Sequence, residues 1–170
     1  MKDEKILASC LKAAMRKMPS AVALITAFDV EQNRPVGMAV SAVIPVAMDP
    51  PSMLISINHS TSLHPVLTQH RRFCVNLLTD SHSALVGLFS DPSRRAERFA
   101  GQNWATHEEL PFLTDAVSNI FCDVQGATTF GTHELFIGRV TDVKTNVVDC
   151  QPLGWLEGKC ARLLPIATLA

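Results

Sequence analysis

Small hydroxyl and amide side chains follow two strand-like segments that lie close together in the sequence. The first segment, GMAVSA at 37–42, alternates larger and smaller residues, and the second, SMLISI at 52–57, runs directly into NHSTS at 58–62. Hydroxyl groups at the start of a helix can bind a phosphate together with the unpaired N–H groups of the first helical turn. The two segments therefore predict a site that holds a flat ligand along the first strand and a phosphate beside the second.

The segment that connects these strands, VAMDPP at 46–51, is incompatible with a helix. Pro50 and Pro51 lack a backbone N–H group, and they hold Asp49 in an extended conformation. We therefore expect a stiff loop over 46–51 that fixes the distance between the two halves of the site.

Common catalytic motifs are absent, since the sequence contains no GxGxxG, GxxxxGK[ST], GxSxG or HExxH. The six histidines do not have metal-ligand spacing, so no metal site is predicted, although segments distant in sequence could still assemble one. No pair of carboxylates stands out for acid–base catalysis. If the chain is an enzyme, a cofactor therefore supplies the chemistry, while the protein supplies orientation and exclusion of water.

The composition predicts one globular domain with a sizeable core, because 47% of the 170 residues are hydrophobic and only 18% are charged. A net charge of −1 gives no electrostatic reason to bind nucleic acid. The low charged fraction indicates that part of the surface is buried in an oligomer.

The cysteines and the N-terminal residues predict a cytoplasmic protein. The five cysteines are an odd number without a CxxC pair, and Cys74 and Cys122 lie in apolar runs, which is typical of reduced and mostly buried thiols. Asp3 and Glu4 begin a segment without a long apolar core, so we expect no signal peptide. No run of apolar residues is long enough for a membrane-spanning helix.

Hydrophobic periodicity predicts more strands than helices. Helices are expected at 3–17, at 62–69, at 82–90 and from Asp91-Pro92 to Gly101. Strands are expected at 21–28, 37–42, 52–57, 72–78, 117–130, 133–140, 152–156 and 161–164, with irregular structure over 102–116. Because hairpins dominate, the predicted fold is mainly β, an antiparallel barrel with short peripheral helices.

Five blocks of the sequence resemble, in their order, the flavin reductase-like, FMN-binding split-barrel family. They are GMAVSA at 37–42, MDPPSMLISIN with STS at 48–62, RFCVNLL at 72–78, AERF at 96–99 and GTHELFIGRV at 131–140. The resemblance covers about residues 11–163 of a single domain, 1–170, and is strongest to reductase components of two-component flavin-dependent monooxygenases.

The resemblance implies a homodimeric, Greek-key split barrel with the flavin site near the dimer interface. It implies that NADH or NADPH reduces FMN or FAD, and that the reduced flavin reaches a partner oxygenase by diffusion. It also places four residues of the first block along the edge of the flavin ring: Ala39, Val40, Ser41 and Ala42. Gly37 would permit close backbone approach. The alternative is an ordinary half-buried strand.

The resemblance assigns the flavin phosphate to the second block, with Asn58, Ser60, Thr61 and Ser62 as binding residues. The alternative is a plain helix cap, and a cap can also serve as a phosphate site. Asn76 matches a position that contacts flavin in the family. Its alternative role is that of a polar residue satisfied inside the sheet.

The resemblance also assigns roles to residues in the later part of the sequence. Arg98 would meet the flavin or nicotinamide phosphates and Phe99 would line the flavin pocket; the alternative is a surface arginine and a core phenylalanine. His133 follows the hairpin turn and would orient the dinucleotide, as the predicted catalytic residue, unless it is an unimportant turn histidine. The family's C-terminal tyrosine is missing here, which leaves Trp155 as the candidate for that ring contact.

The predicted function is therefore that of an NAD(P)H:flavin oxidoreductase. NADH is favoured because no arginine cluster is suited to a 2′-phosphate. Two alternatives stay open, namely a non-catalytic flavin carrier of the same fold and an interaction barrel that binds no flavin.

Overall fold

The computed structural model describes residues 3–101, 103–146 and 151–164. Within them the α-helices are Glu4–Met15 (α1), Leu63–His70 (α2) and Ser83–Ser90 (α3), and two 3-10 turns are Asp80–His82 and Pro92–Glu97. The strands are Ser20–Ala21 (β1), Ala23–Asp29 (β2), Arg34–Val40 (β3), Val43–Met48 (β4), Pro51–Asn58 (β5), Arg72–Leu77 (β6), Trp104–His107 (β7), Leu110–Leu113 (β8), Ser118–Phe130 (β9), His133–Thr145 (β10), Leu153–Leu156 (β11) and Lys159–Arg162 (β12).

Seven strands form one antiparallel sheet in the order β3-β2-β6-β9-β10-β5-β4. The end strands β3 and β4 are joined by Ser41 and Ala42 alone, so the sheet must curl until its two ends meet. The Ser56 N–H donates to the Ala42 carbonyl at 3.1 Å at this junction. The connection from β5 through α2 to β6 crosses between the halves, as in a Greek key. The predicted fold class, a mainly β antiparallel split barrel, is confirmed.

Strand β2 contributes to two hydrophobic cores, which explains its almost unbroken apolar sequence. Ile25 lies in the barrel interior with Ile55 and Phe73. Leu24 points to the other face and packs in a cluster with Phe89 of α3. The periodicity of side chains along a strand makes successive residues serve opposite faces, so both must be apolar here.

Gly37 lets β3 pack closely against β2. A Cβ atom at this position would lie 2.8 Å from the Ile25 carbonyl oxygen and 3.2 Å from Phe89. The close approach that the sequence predicted therefore exists, but it is to the protein's own backbone and aromatic core.

The structure corrects several predicted elements. Strand β4 runs through Met48, so the expected loop at 46–51 shrinks to the turn at Asp49-Pro50. The region 102–116, expected to be irregular, contains the hairpin of β7 and β8. The helix predicted after Asp91 is a 3-10 turn that ends at Glu97. The helix predicted at 3–17 is confirmed as α1, with the Asp3 side chain accepting from the Lys5 N–H at 2.9 Å.

The four described cysteines, at 10, 74, 122 and 160, form no disulfide, and Cys150 lies outside the described residues. Burial raises the pKa of the Cys122 thiol to about 12, and burial also raises the pKa of Cys74, so both thiols stay protonated. None of the helices in the described ranges is long and apolar enough to cross a lipid bilayer.

Candidate functional site

A cleft of about 420 Å³ lies between the end of β3 and the turn that precedes α2. Ala39 lines one side, and Ser60, Thr61 and Ser62 line the other. The structure thus brings together the two segments that the sequence predicted to form one site. The other lining residues are Met38, Phe89, Ser90, Pro92, Arg95 and Arg98.

Asn58 shapes the turn on the hydroxyl-rich side of this cleft. Its Oδ1 accepts from the Ser60 N–H at 2.9 Å and from the Ser60 hydroxyl at 2.8 Å. Its carbonyl accepts from the Thr61 hydroxyl at 2.9 Å. These local bonds are those of an Asx turn, which fixes the backbone around Ser60 and Thr61. Asn58 is not among the residues that line the cleft, so it holds the turn in place.

Ser62 is the N-cap residue of α2, and its side chain makes no capping hydrogen bond. An N-cap serine normally uses its oxygen to accept from the next helical turn. Because this hydroxyl is half-buried, lines the cleft and caps nothing, it is available to a ligand. The positive end of the α2 dipole adds a favourable field for an anion at the same place.

Arg98 is buried beneath the cleft, and its side chain is held by the protein backbone. Its guanidinium donates to three backbone carbonyls: Gly37 at 2.6 Å, Asp91 at 2.8 Å and Leu88 at 3.3 Å. Burial, followed by the nearby charge of Arg95, lowers the pKa of Arg98. The predicted phosphate contact is thus only partly supported, because Arg98 lines the cleft while its side chain ties β3 to the segment after α3.

Arg95 is the exposed cation of the cleft. It makes no side-chain hydrogen bond or ion pair with any residue in the described ranges, whereas its neighbour Arg94 is paired with Glu97 at 2.6 Å. An exposed guanidinium beside three hydroxyl residues is well suited to a phosphate, which it can bind through two parallel N–H groups.

A second depression of about 120 Å³ continues the cleft along β3 and shares Ala39 and Ser90 with it. Three further predicted ring contacts line it, namely Val40, Ser41 and Trp155. The wall is otherwise apolar, with Val22 and Val86. A phosphate beside Ser60–Ser62 and a flat ring against Trp155 could therefore belong to one ligand.

Ser41 and Trp155 also border a larger cleft of about 620 Å³ under α1. Ala42, the last of the predicted ring contacts, lines this cleft with Ile44 and Arg16. Residues 39–42 therefore do not line a single cavity. They form a ridge with Ala39 on one side, Ala42 on the other, and Ser41 exposed between them.

Phe99 belongs to both the core and the site. Its ring packs 5.4 Å from Phe89 and 4.7 Å from Trp104, measured between centroids. It also lines a small depression together with Ser62 and Arg95. The two roles that the sequence left open for Phe99 coexist.

Asn76 has no exposed surface, and its side chain is fully satisfied inside the protein. Nδ2 donates to the Leu24 carbonyl at 2.9 Å and to the Thr26 hydroxyl at 3.1 Å. Oδ1 accepts from the Leu113 N–H at 2.8 Å and from Asn119 Nδ2 at 3.0 Å. This geometry corrects the predicted flavin contact, because no donor or acceptor of Asn76 is left for a ligand.

His133 lies at the start of β10, opposite Asn58 in the strand register. Its ring is exposed, with Nδ1 2.9 Å from the Thr132 hydroxyl. The His59 N–H donates to the Thr132 carbonyl at 3.0 Å, which ties this hairpin to the hydroxyl-rich turn. His133 therefore stands next to the turn, but it is not among the residues that line the described cleft.

A sequence model described as a flavin reductase like domain matches residues 15–163, which is most of the chain. The chain belongs to the flavin reductase-like family. The resemblance seen in the sequence blocks is thereby confirmed, as is the split-barrel fold that it implied.

Named relatives of this flavin reductase-like chain are reductases. It is 38% identical over 130 residues to the reductase component of an FADH(2)-dependent resorcinol hydroxylase from Rhizobium sp., with 76% of this chain and 73% of that protein covered. It is 36% identical over 145 residues to the FMN reductase (NADH) RutF of Pantoea ananatis, with 85% and 75% covered.

A solved structure gives the same architecture. The styrene monooxygenase flavin reductase SMOB from Pseudomonas putida superimposes with a TM-score of 0.81 at 27% identity, over 92% of this chain and 99% of that one. The split barrel of this flavin reductase-like chain is thus shared with a styrene monooxygenase flavin reductase.

Arg95 and Ser90 are polar cleft residues that sequence reasoning missed in this flavin reductase-like chain. A signal for Arg95 was present, because Glu97 lies three residues after Arg94 and the pair predicts an ion pair that leaves Arg95 free. No comparable signal existed for Ser90, since only the packing of α3 brings it to both depressions.

Proposed function

We propose that this protein is an NAD(P)H-dependent flavin reductase that transfers a hydride from NADH to FMN or FAD. The observation that carries the proposal is the continuous surface from Ser60–Ser62 and Arg95, past Ala39, to Trp155. It offers an anion site at one end and an apolar wall at the other, which matches the phosphate and the ring of a flavin. The relatives named above as reductases support the same activity.

Each end of this surface has a separate task in the proposal. Arg95 and the hydroxyl of Ser62 bind the flavin phosphate, and Asn58 keeps the turn in the required shape. Ala39, Val40 and Ser41 lie along the ring edge, while Trp155 closes the wall. A flavin held by these residues would supply the chemistry that accepts a hydride from NADH, and the protein would contribute alignment and exclusion of water.

We propose that His133 orients the dinucleotide from the edge of this site. Its support is the position next to the Asn58–Ser62 turn and an exposed ring that is hydrogen-bonded only to Thr132 among the described residues. His133→Ala should raise the KM for NADH while the KM for FMN stays constant. An equal rise in the KM for NADH and the KM for FMN would contradict this assignment.

The reduced flavin, we infer, leaves by diffusion for a partner oxygenase. Support comes from the resorcinol hydroxylase and styrene monooxygenase systems, whose reductases are similar to this chain. The exposed Ser60 and Arg95 leave the phosphate end of the site at the surface, which is compatible with release. The reaction should therefore turn over free flavin many times per protein molecule.

Steady-state kinetics with purified protein test the function. FMN and FAD are each combined with NADH and with NADPH, and the loss of nicotinamide absorbance is followed under nitrogen with flavin in excess over protein. Flavin-dependent oxidation of NADH beyond one equivalent per protein is expected. Flavin binding without any turnover would support the carrier of the same fold, and the absence of binding would support an interaction barrel.

A second copy of the chain, we propose, covers apolar surface that the monomer leaves exposed. Helix α1 has no buried residue, and its apolar side chains Leu7 and Leu11 are more than half exposed. The edge strand β4 exposes Ile44, Val46 and Met48, and 78% of the Met48 surface is accessible to solvent. Exposed apolar side chains in such concentration are typical of an interface. The larger cleft under α1, which contains Ser41 and Trp155, borders this surface, so the flavin site would lie near the dimer interface.

Analytical ultracentrifugation tests the homodimer. The wild-type protein should sediment at twice its chain mass, and Val46→Glu should shift it to the monomer. Val30→Glu is the matched control, because Val30 is similarly exposed but lies in the turn after β2. A monomeric wild-type protein at micromolar concentration would refute the proposal.

We also propose that the chain acts as one domain in the cytoplasm. The support for this compartment is that the four described cysteines are all unpaired, which suits a reducing environment.

A further inference from the structure

Three side chains with metal-binding atoms meet beside the hydroxyl-rich turn. The ligand atoms of His59, His64 and Glu134 all lie within 4.8 Å of one another. His64 Nε2 is 2.5 Å from Glu134 Oε2, and the rings of His59 and His64 are 4.8 Å apart between centroids. Sequence spacing did not reveal this cluster, because Glu134 is 70 residues away from His64.

The fold holds all three residues in place from different elements. Glu134 lies in β10, where it is paired with Ile57 of β5. His64 belongs to the first turn of α2. The His59 backbone N–H donates to the Thr132 carbonyl at 3.0 Å, which anchors its backbone to the hairpin of β9 and β10. A site whose ligands are positioned by separate rigid elements loses little entropy when it binds an ion.

The ligand set and the spacing agree with a tetrahedral transition metal. Two ligands of a tetrahedral zinc ion, each about 2.1 Å from the metal, lie about 3.4 Å apart. The His64–Glu134 pair must therefore open by about an ångström, and His59 must approach by a similar distance. Rotations of side chains are sufficient for this, because His59 is exposed and the other two are half-buried.

The chemistry of the donors selects the class of metal. Two imidazoles and one carboxylate suit zinc and neighbouring first-row ions, whereas calcium and magnesium require mostly oxygen ligands. The side chains of His64 and Glu134 are only 19% and 16% exposed, so a metal there would be partly shielded from water.

We propose that His59, His64 and Glu134 bind one zinc-class divalent ion. The ion replaces the shared proton of the His64–Glu134 pair and links β10, α2 and the Asn58–Ser62 turn. It thereby stiffens the turn that carries Ser60 and Ser62. This inference does not rest on the proposed function, since metal binding is measured without flavin or nicotinamide.

Titration with Co²⁺, a coloured substitute for zinc, tests the site directly. The full-length protein is freed of metal and of any histidine tag, and the Cys10→Ser variant is used as background because Cys10 is an exposed thiol. We expect visible absorption that saturates at one ion per chain, without a thiolate-to-cobalt band, and that disappears when Zn²⁺ is added. Zn²⁺ should also raise the melting temperature.

Three variants decide the ligands. His59→Ala and Glu134→Gln should each weaken zinc binding by about 100-fold or more, whereas His133→Ala should leave it unchanged. His133 is the matched control, because it is an exposed histidine next to Glu134 but outside the cluster. His59→Ala removes only an exposed side chain, so the variant should fold normally.

Two results would overturn the proposal. One is an absence of saturable cobalt absorption in the background protein, which would leave His64 and Glu134 as a simple hydrogen-bonded pair. The other is unchanged affinity in both His59→Ala and Glu134→Gln, which would place the ion elsewhere.

Discussion

Two polar regions of this protein contain similar residue types and behave in opposite ways. Around Asn76, the side chains of Thr26 and Asn119 are buried and hydrogen-bonded within the protein. Around Ser62, the hydroxyl caps nothing and Arg95 pairs with no described residue. The family resemblance assigned both Asn76 and Ser62 to flavin binding. What separates them is whether the protein has already used their hydrogen-bonding groups.

The same contrast holds for two arginines three residues apart. Arg98 satisfies three backbone carbonyls and is only 6% exposed, whereas Arg95 is exposed at the cleft. A buried polar group that is hydrogen-bonded to the protein stabilises the fold and has few or no hydrogen-bonding groups left for a ligand. An exposed group without a partner contributes little to stability but can bind. Substitutions of the buried groups should therefore lower the free energy of unfolding, whereas substitutions of the exposed groups should raise the KM for FMN.

The largest effect is expected at Asn76. Asn76→Ala removes four buried side-chain hydrogen bonds, among them those to the Leu113 N–H and the Leu24 carbonyl, so the free energy of unfolding should fall by about 3 kcal/mol. Urea denaturation measures this. Asn103→Ala, an exposed asparagine, should change it by less than about 0.5 kcal/mol.

A contrary result at Asn76 is easily recognised. If the variant kept its stability and instead raised the KM for FMN, the side chain would be a ligand contact and the contrast between the two regions would fail. We expect the KM for FMN to stay unchanged at temperatures where Asn76→Ala is folded.

A smaller loss of stability is expected at Arg98. Arg98→Ala removes the donors of three backbone carbonyls, and we expect the free energy of unfolding to fall by about 2 kcal/mol, since water can reach part of the gap. Arg94→Ala is the control, because its ion pair with Glu97 is exposed to solvent and should contribute little to stability. Full stability with weakened FMN binding would restore Arg98 as a phosphate ligand.

Arg95 should behave in the reverse manner. Arg95→Ala removes an exposed cation from the cleft, so the KM for FMN should rise about tenfold while unfolding is unaffected. Riboflavin lacks the phosphate, and its KM should be the same in the variant and the wild type. Arg94→Ala again serves as the control, and an equal rise with both arginine variants would indicate only a general change of charge.

The fold was largely predictable because its signals are local. Alternation in 52–57, the glycine-led turn before His133 and the prolines at 50–51 each define an element within a few residues. The hairpin of β7 and β8 was missed, since its four-residue strands contain Pro111 and are separated by Glu108 and Glu109 in the left-handed conformation, which glutamate seldom adopts.

The site was predictable only in part because satisfaction of polar groups depends on long-range packing. The meeting of Ala39 with Ser60 follows from family order, but the burial of Asn76 requires that β8 cover it from 37 residues away. Likewise, Glu134 joins His64 only through the pairing of β10 with β5. Residue type therefore predicts that a group will form hydrogen bonds, while the choice between protein and ligand emerges from the tertiary structure.

The smallest effect is expected at Ser62, which tests the contrast most finely. Because its hydroxyl makes no capping bond, Ser62→Ala should leave the unfolding free energy within about 0.5 kcal/mol of wild type, whereas an engaged N-cap would lose about 1 kcal/mol. The KM for FMN should rise about threefold, because Ser62 gives only one hydrogen bond to the phosphate and water can replace its hydroxyl in the open cleft, and the KM for riboflavin should not change. Thr61→Ser is the matched control, since it keeps the hydroxyl that donates to Asn58. If Ser62→Ala instead loses stability and binds FMN normally, the Ser62 hydroxyl caps α2 and belongs with the satisfied polar groups.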